Sequence, residues 1–315
     1  MSLKIITPSR LHMSLIDLNA SIGRVDGGIG LAIKEPKIVL EARESERLTV
    51  KGGRKSIRER AEMIAKKVIE AFDIEGKIEI TIKEDYPQHV GLGSGTQISL
   101  AVAKAIAEIF GFDYSIRELA RIVGRGGTSG IGVAAFEGGG FILDGGHSTK
   151  EKSNFLPSSA SKASPAPLLA RCDFPNWKIA VVIPRGKEYY GEREVNIFKK
   201  YCPIAIEEVQ RLSHLILMKI LPAVVEEDIV SFGEGINEIQ NIGFKKIEVS
   251  LQPKKVRKLM EKCREVSYGV GLSSFGPSFY CIVENPRDIK SVVQEYKEEA
   301  RLIVSKANNN GAIVI

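Results

Sequence analysis

From residue 76 the chain reads GKIEITIKE, with Ile78, Ile80 and Ile82 alternating against charged or hydroxyl residues. A period of two is that of a strand with one face in the core. Beyond a glycine-rich break, Ile98, Val102, Ala105, Ile106, Ile109 and Phe110 fall on one face of a helix that Gly111 ends. The pattern predicts strand, glycine loop, helix. Upstream, residues 4–6 open an apolar strand. Residues 7–19 stay extended, with Leu11, Met13 and Leu15 alternating against His12, Ser14 and Ile16. Glycines at 23, 27, 28 and 30 mark a tight turn before a strand that starts near Ile29. The tetrapeptide SIRE occurs at 56–59 and again at 115–118, each time with the spacing of a capping box that opens a helix. Ala61, Ile64, Ala65, Val68 and Phe72 form the apolar face of the first helix, and Ile116, Leu119, Ala120 and Val123 that of the second.

Residues 141–143 and 177–183 are apolar runs of strand length. Between them, residues 152–167 are rich in serine, alanine and proline and read as a linker. This predicts an N-terminal domain over 1–152, a linker over 153–167 and a C-terminal domain over 168–315. Within the second half, residues 203–221 read as a helix with proline in its first turn. Two more helical stretches follow to about Phe244, then a basic amphipathic helix over 253–265 and an apolar strand over 279–283. One more helix and a short strand complete the chain.

The glycine loop carries the candidate chemistry. Residues 86–97 read YPQHVGLGSGTQ. Gly91, Gly93 and Gly95 open backbone conformations closed to other residues, and Ser94 and Thr96 put hydroxyls at the helix start. A first helical turn has unpaired N–H groups and the positive end of the dipole, so it seats a phosphate. The loop is neither a Walker A motif, since no Gly-Lys-Ser/Thr follows, nor the dinucleotide fingerprint, since Thr96 replaces its last glycine. Other polar residues cluster beside glycine turns. Arg10, His12, Asp17 and Asn19 crowd one early strand, and Arg24 and Asp26 sit on the turn after it. Arg185 and Lys187 follow a strand end, Ser273 and Ser274 precede a Gly-Pro turn, and Asp144 and His147 follow the strand over 141–143. His214 lies within an apolar helical face and reads as a packed histidine.

The 315 residues suffice for about two domains. With 43% hydrophobic and 27% charged residues the composition is that of a soluble globular protein, and no apolar run reaches membrane-spanning length. The N-terminal MSLKIITPSR has no signal-peptide core. Cys172, Cys202, Cys263 and Cys281 are scattered, which suggests free thiols in a reducing cytoplasm. The net charge of +6 is spread among acidic residues, and no nucleic-acid-reading motif is present, so an anionic small molecule is the expected partner, not nucleic acid or membrane.

The run PQHVGLGSGTQ before a helix of small residues resembles the phosphate loop of the GHMP kinase superfamily. Residues 8–11 resemble its early cleft strand, and residues 270–283, VGLSSFGPSFYCIV, its C-terminal turn. The resemblance implies an α+β, two-domain GHMP kinase-like fold, with an N-terminal part like ribosomal protein S5 domain 2 and a ferredoxin-like C-terminal part. One departure stands out. Where the kinases carry a catalytic aspartate, this chain has GGTSG, and no aspartate before Asp144. That run, with SRLHMSLIDLN and GRVDGGIGLAI, resembles the superfamily's decarboxylating branch, the archaeal β-ribofuranosylaminobenzene 5′-phosphate synthases.

This resemblance implies that phosphoribosyl pyrophosphate condenses with 4-hydroxybenzoate or 4-aminobenzoate, losing CO2 and pyrophosphate early in methanopterin biosynthesis. It further implies Mg2+, a homodimer and a cytoplasmic location. The expected catalytic residues are Asp17, Arg24 and Asp26. The expected substrate-binding residues are Arg10, His12, Gly91, Gly93, Ser94, Gly95, Thr96, Arg185, Lys187, Ser273 and Ser274. Arg24 or Arg10 would hold phosphate or carboxylate, and Asp17 or Asp26 metal or sugar cation, without individual roles being separable. An ATP-dependent small-molecule kinase is the alternative, and a non-catalytic ligand-binding protein a third reading.

Overall fold

A computed structural model describes residues 2–157, 160–185, 191–296 and 299–315. Two long antiparallel strands, β1 (Ser2–Asp17) and β2 (Arg24–Ser45), form the spine of the first sheet. The far half of β2 pairs with β4 (Lys77–Glu84), and β3 (Thr49–Gly52) adds in parallel. Its near half turns to β5 (Phe141–Asp144) and β6 (His147–Ser148). β1 runs along nearly all of β2, and on the opposite edge no single strand does, so β4, β5 and β6 share it. The isoleucines of β4 point into the core as their alternation requires, where Ile78, Ile80 and Ile82 meet α1 (Lys55–Ala71) and α2 (Ser94–Phe110). Two short helices, α3 (Ile116–Ile122) and α4 (Ile131–Glu137), cover the same layer.

The strand β7 (Leu168–Cys172) pairs with β5, so the first sheet continues past the expected linker over 153–167. The second sheet is antiparallel, ordered β11-β8-β10-β9, from β8 (Lys178–Pro184), β9 (Gly269–Leu272), β10 (Phe279–Val283) and β11 (Ala300–Ser305). Helices α5 (Glu192–Tyr201), α6 (Ile206–Leu215), α7 (Leu221–Val225), α8 (Ile229–Ile239), α9 (Gly243–Ser250) and α10 (Lys254–Arg264) lie between β8 and β9. The helix α11 (Arg287–Gln294) follows β10, which gives the β-α-β-β-α-β order of a ferredoxin-like unit with an enlarged first crossover. Val256, Leu259 and Met260 of α10 and Ile289 and Val293 of α11 pack on its strands. Finally β12 (Ile313–Val314) returns to pair with β1, tying the chain's end to the first sheet.

Two expected helix starts move. Ser56 does not cap α1, which begins at Lys55 after Arg54. The acceptor at that end comes from elsewhere in the chain, the Asp85 carboxylate, which takes the Arg54 N–H at 2.6 Å. The second SIRE does form a complete capping box at Ser115 and Glu118. Pro203 does not open α6, because the Ile204 N–H donates to the Leu18 carbonyl at 2.9 Å and holds the chain extended until Ile206. The helix then runs on through a π-turn at Ile216–Ile220 into α7, with Pro222 in the first turn of α7.

Candidate active site

A cleft of about 490 Å³ opens between the two parts of the fold. The glycine loop forms one wall. Gly91 (φ 87°) and Gly93 (φ 79°) take left-handed conformations, and α2 starts directly afterwards. The Gly93 carbonyl accepts from the Thr96 and Gln97 amides at 3.0 and 3.1 Å. The Ser94 and Gly95 amides have no acceptor among the described residues. They sit at the positive end of a helix of 17 residues, which is an anion seat. The Ser94 hydroxyl is spent within the loop, donating to the Pro87 carbonyl at 3.2 Å. Thr96 lines the cleft.

Arg10 and His12 on β1 form the floor. The Arg10 guanidinium donates to the Gly91 carbonyl at 2.7 Å, and the Ser273 hydroxyl donates to the same oxygen at 2.7 Å. The His12 N–H in turn donates to Ser273 Oγ at 3.0 Å, and the Ser274 N–H to the His12 carbonyl at 2.9 Å. The loop, the first strand and the turn between β9 and β10 are thus one hydrogen-bonded unit. Ser273 is fully buried and structural, whereas Ser274 lines the cleft. Burial pushes His12 well below its ordinary pKa, and the charges of Arg10 and Lys245 add to this, so its imidazole is neutral. Burial lowers Arg10 too, opposed by the charges of Tyr86, Glu194 and Glu248.

Several functional side chains escaped sequence reasoning. Arg60 on α1 and Arg125 flank the loop, and neither Nε has a partner among the described residues. The Arg60 guanidinium lies 3.6 Å from where a Cβ on Gly95 would stand. Glu194 on α5 and Glu248 on α9 supply two carboxylates to the opposite side. Glu248 is held by an ion pair to the fully buried Lys245, whose Nζ also donates to the Leu272 carbonyl at 3.2 Å. Burial raises Glu248 despite that pairing.

The residues expected to be catalytic lie elsewhere. Asp17 closes a turn, its Oδ1 accepting from the Asn19 and Ala20 amides at 2.7 and 2.9 Å. Arg24 is exposed and donates to the carbonyls of Gly145 and Gly146, both at 2.9 Å. Asp26 is buried and receives Lys152 Nζ at 2.8 Å and His147 Nδ1 at 2.6 Å. None of the three lines the cleft. Arg185 is exposed at the end of β8, away from the cleft, and Lys187 lies outside the described residues. Asp144, which follows the strand over 141–143, is buried. Its Oδ2 accepts the Gly130 N–H at 3.0 Å and so caps the segment that opens α4, while burial lifts its pKa to about 7.

Asp26 nonetheless shapes the site. Lys152 Nζ bridges it to the Thr128 hydroxyl at 2.8 Å, and Thr128 lines the cleft. His147 Nε2 stands 2.9 Å from the Ser164 carbonyl. Both histidine nitrogens face acceptors, which only the imidazolium satisfies. Burial opposes that charge, but the hydrogen bond and charge of Asp26 outweigh it and raise the pKa. A folded-state pKa above the unfolded value stabilises fully below about 6.5, and the contribution is lost as pH rises through the folded pKa. The urea midpoint is therefore expected to decline from about pH 6.5 upward. His147→Gln should flatten that decline, and an identical slope in both proteins would remove the imidazolium from the account.

A mostly antiparallel sheet layer joined to a ferredoxin-like unit, with a glycine loop and helix N-terminus at the seam, is the architecture of the GHMP kinase class. The family model for the GHMP kinases N terminal domain matches residues 59–140, and that for the GHMP kinases C terminal matches residues 220–302. The mevalonate kinase of Methanococcus jannaschii superposes with a TM-score of 0.68 over 97% of this chain and 98% of its own, at 14% identity. A homoserine kinase from Cytophaga hutchinsonii gives 0.66 over 100% and 97%, at 16% identity. Such identities establish the fold alone. Sequence relatives go further. The chain is 51% identical over 98% of both chains to the β-ribofuranosylphenol 5′-phosphate synthase of Archaeoglobus fulgidus. It is 47% identical to that of Methanothermobacter thermautotrophicus over 98% of this chain and 97% of the relative. The chain belongs to the β-ribofuranosylphenol 5′-phosphate synthase family, within the GHMP kinase superfamily.

Proposed function

We infer that this chain transfers the phosphoribosyl group of phosphoribosyl pyrophosphate to an aromatic acid, forming a C-riboside 5′-phosphate with release of CO2 and pyrophosphate. The observation that carries this reading is the anion seat. Ser94 and Gly95 amides without an acceptor among the described residues, at a helix start and with Arg60 and Arg125 in the same lining, face the cleft of a chain from this family. Donors fixed in place before the reaction stabilise the diphosphate as its charge builds on leaving the ribose. The relatives' names carry a phenol, which supports 4-hydroxybenzoate as the acid, with 4-aminobenzoate the alternative. The position where the kinases carry a catalytic aspartate reads GGTSG here, which argues against activation of an alcohol for phosphorylation.

No group of three metal-binding side chains occurs among the described residues, so a resident caged ion does not fit. An ion that arrives on the diphosphate does fit, since magnesium keeps substrate oxygens and waters and takes few protein ligands. The Thr96 hydroxyl at the helix start would hold it. Magnesium bound there would supply charge neutralisation of the leaving group. A homodimeric assembly, a cytoplasmic location and a place early in methanopterin biosynthesis go with this reading.

The test is a product assay with magnesium, phosphoribosyl pyrophosphate and carboxyl-labelled 4-hydroxybenzoate. Labelled CO2 and pyrophosphate should be released together without ATP. Turnover of ATP on small alcohols, with no CO2 released, would replace this reading with a kinase.

A further inference from the structure

Arg10, Arg60, Arg125, Glu194 and Glu248 bring charge to the cleft, but one wall is apolar. Leu15 from β1, Phe198 from α5 and Phe275 from the turn between β9 and β10 meet there. The two rings lie 6.1 Å apart between centroids and are tilted by 50°. An apolar wall of this kind receives a flat aromatic ring. Glu194 lies four residues before Phe198 on the same helix, so both side chains project from one face. The other cleft carboxylate, Glu248, is committed to Lys245, whereas Glu194 has no ion pair among the described residues.

We propose that Glu194 takes the hydroxyl proton of the aromatic acid during attack on the ribose and returns it after CO2 has left. The proposal rests on the phosphoribosyl-transfer reading above. The ring carbon bearing the carboxylate forms a bond to the ribose C1 while the C1–oxygen bond to pyrophosphate breaks. Electrons for this come from the para hydroxyl oxygen, whose proton passes to the Glu194 carboxylate, leaving a neutral dienone. The carbon–carboxylate bond then breaks, its electron pair restores aromaticity, and the resulting phenolate takes the proton back from Glu194. No net proton is gained or lost. A carboxylate suits this exchange when its pKa lies near working pH. Burial and the charge of Glu248 lift Glu194 to about 7, with Arg10 pulling against them. The neutral His12 lines the cleft with it, as do His89, Arg60 and Arg125, and Lys245 lies behind Glu248.

The amine analogue provides the discriminating experiment. The nitrogen lone pair of 4-aminobenzoate drives the same attack without first losing a proton, so it does not need the base. With 4-hydroxybenzoate, Glu194→Gln should lower kcat by about 10²–10⁴-fold, the range for a lost general base. With 4-aminobenzoate the loss should stay within about tenfold, and KM for phosphoribosyl pyrophosphate should not move. The wild-type kcat/KM for 4-hydroxybenzoate should climb as pH rises through about 7, and that limb should vanish in Glu194→Gln. Glu194→Asp should restore part of the rate, which a variant that failed to fold could not. Equal loss with both acids, no loss, or persistence of the pH limb would overturn the assignment. If the wild type accepts the hydroxy acid alone, the pH limb decides. A wild type that releases CO2 from neither acid would instead overturn the functional reading on which the assignment rests.

Discussion

Lys245→Met is expected to lower the folding stability of the protein by about 3–5 kcal/mol, the loss that follows when one partner of a buried ion pair is removed. Lys245 is 1% exposed and Glu248, at the cleft wall, 3% exposed, so water compensates little of either charge. The ammonium meets both the Glu248 carboxylate and the Leu272 carbonyl, which joins α9 to the second sheet beneath the cleft. Without it, a carboxylate stays buried beside Glu194 and must either carry an uncompensated charge or take up a proton. The double variant Lys245→Met with Glu248→Leu should recover most of the loss, because two apolar side chains replace a pair whose desolvation already offsets much of its attraction. Urea unfolding of the three proteins measures this. A single variant as stable as the parent would mean that the pair sits in a wetter place than its burial implies.

The contrast between the two SIRE tetrapeptides shows what was legible in the sequence. Identical residues form a full capping box at Ser115 and no cap at Ser56, where Asp85 from the β4 end supplies the acceptor instead. Local pattern states what a segment can do, and a tertiary partner decides whether it does. The strand–glycine loop–helix unit was legible because its chemistry is local: glycines at positive φ, then a helix start. Gly91, Gly93, Ser94, Gly95 and Thr96 accordingly reach the cleft, and Arg10, His12 and Ser274 line it beside them. Arg60, Glu194, Lys245 and Glu248 were not legible. They stand on three helices far apart in sequence, and only folding brings Arg60, Glu194 and Glu248 to the cleft and Lys245 behind Glu248. Asp17, Arg24 and Asp26 attracted notice through their density beside a glycine turn, yet density served the turn. Arg24 closes it onto Gly145 and Gly146, and Asp26 anchors Lys152 and His147 behind the wall.

Gly91→Ala is expected to have the largest effect on activity of any small substitution in the loop, a fall in kcat/KM of about 10²–10³-fold, comparable with losing one preorganised donor from an anion hole. Two independent constraints act at this residue. Its φ of 87° lies in the left-handed region that a Cβ disfavours. A Cβ would also stand 2.3 Å from the Ser273 carbonyl oxygen, a backbone atom that cannot swing away. Relief requires the loop or the turn between β9 and β10 to retreat. Either movement separates the Gly91 carbonyl from the Arg10 guanidinium and the Ser273 hydroxyl that it joins, and carries the Ser94 and Gly95 amides out of register with Arg60 and Arg125. Gly95→Ala is the matched control, because its Cβ would meet only the Arg60 guanidinium, at an ordinary 3.6 Å. Its effect on kcat/KM should be at least tenfold smaller. Steady-state rates for the two variants, with circular dichroism to verify that both fold, decide the matter. Equal losses would show that contact with Arg60, not the geometry of the Gly91 turn, sets the strength of the anion seat.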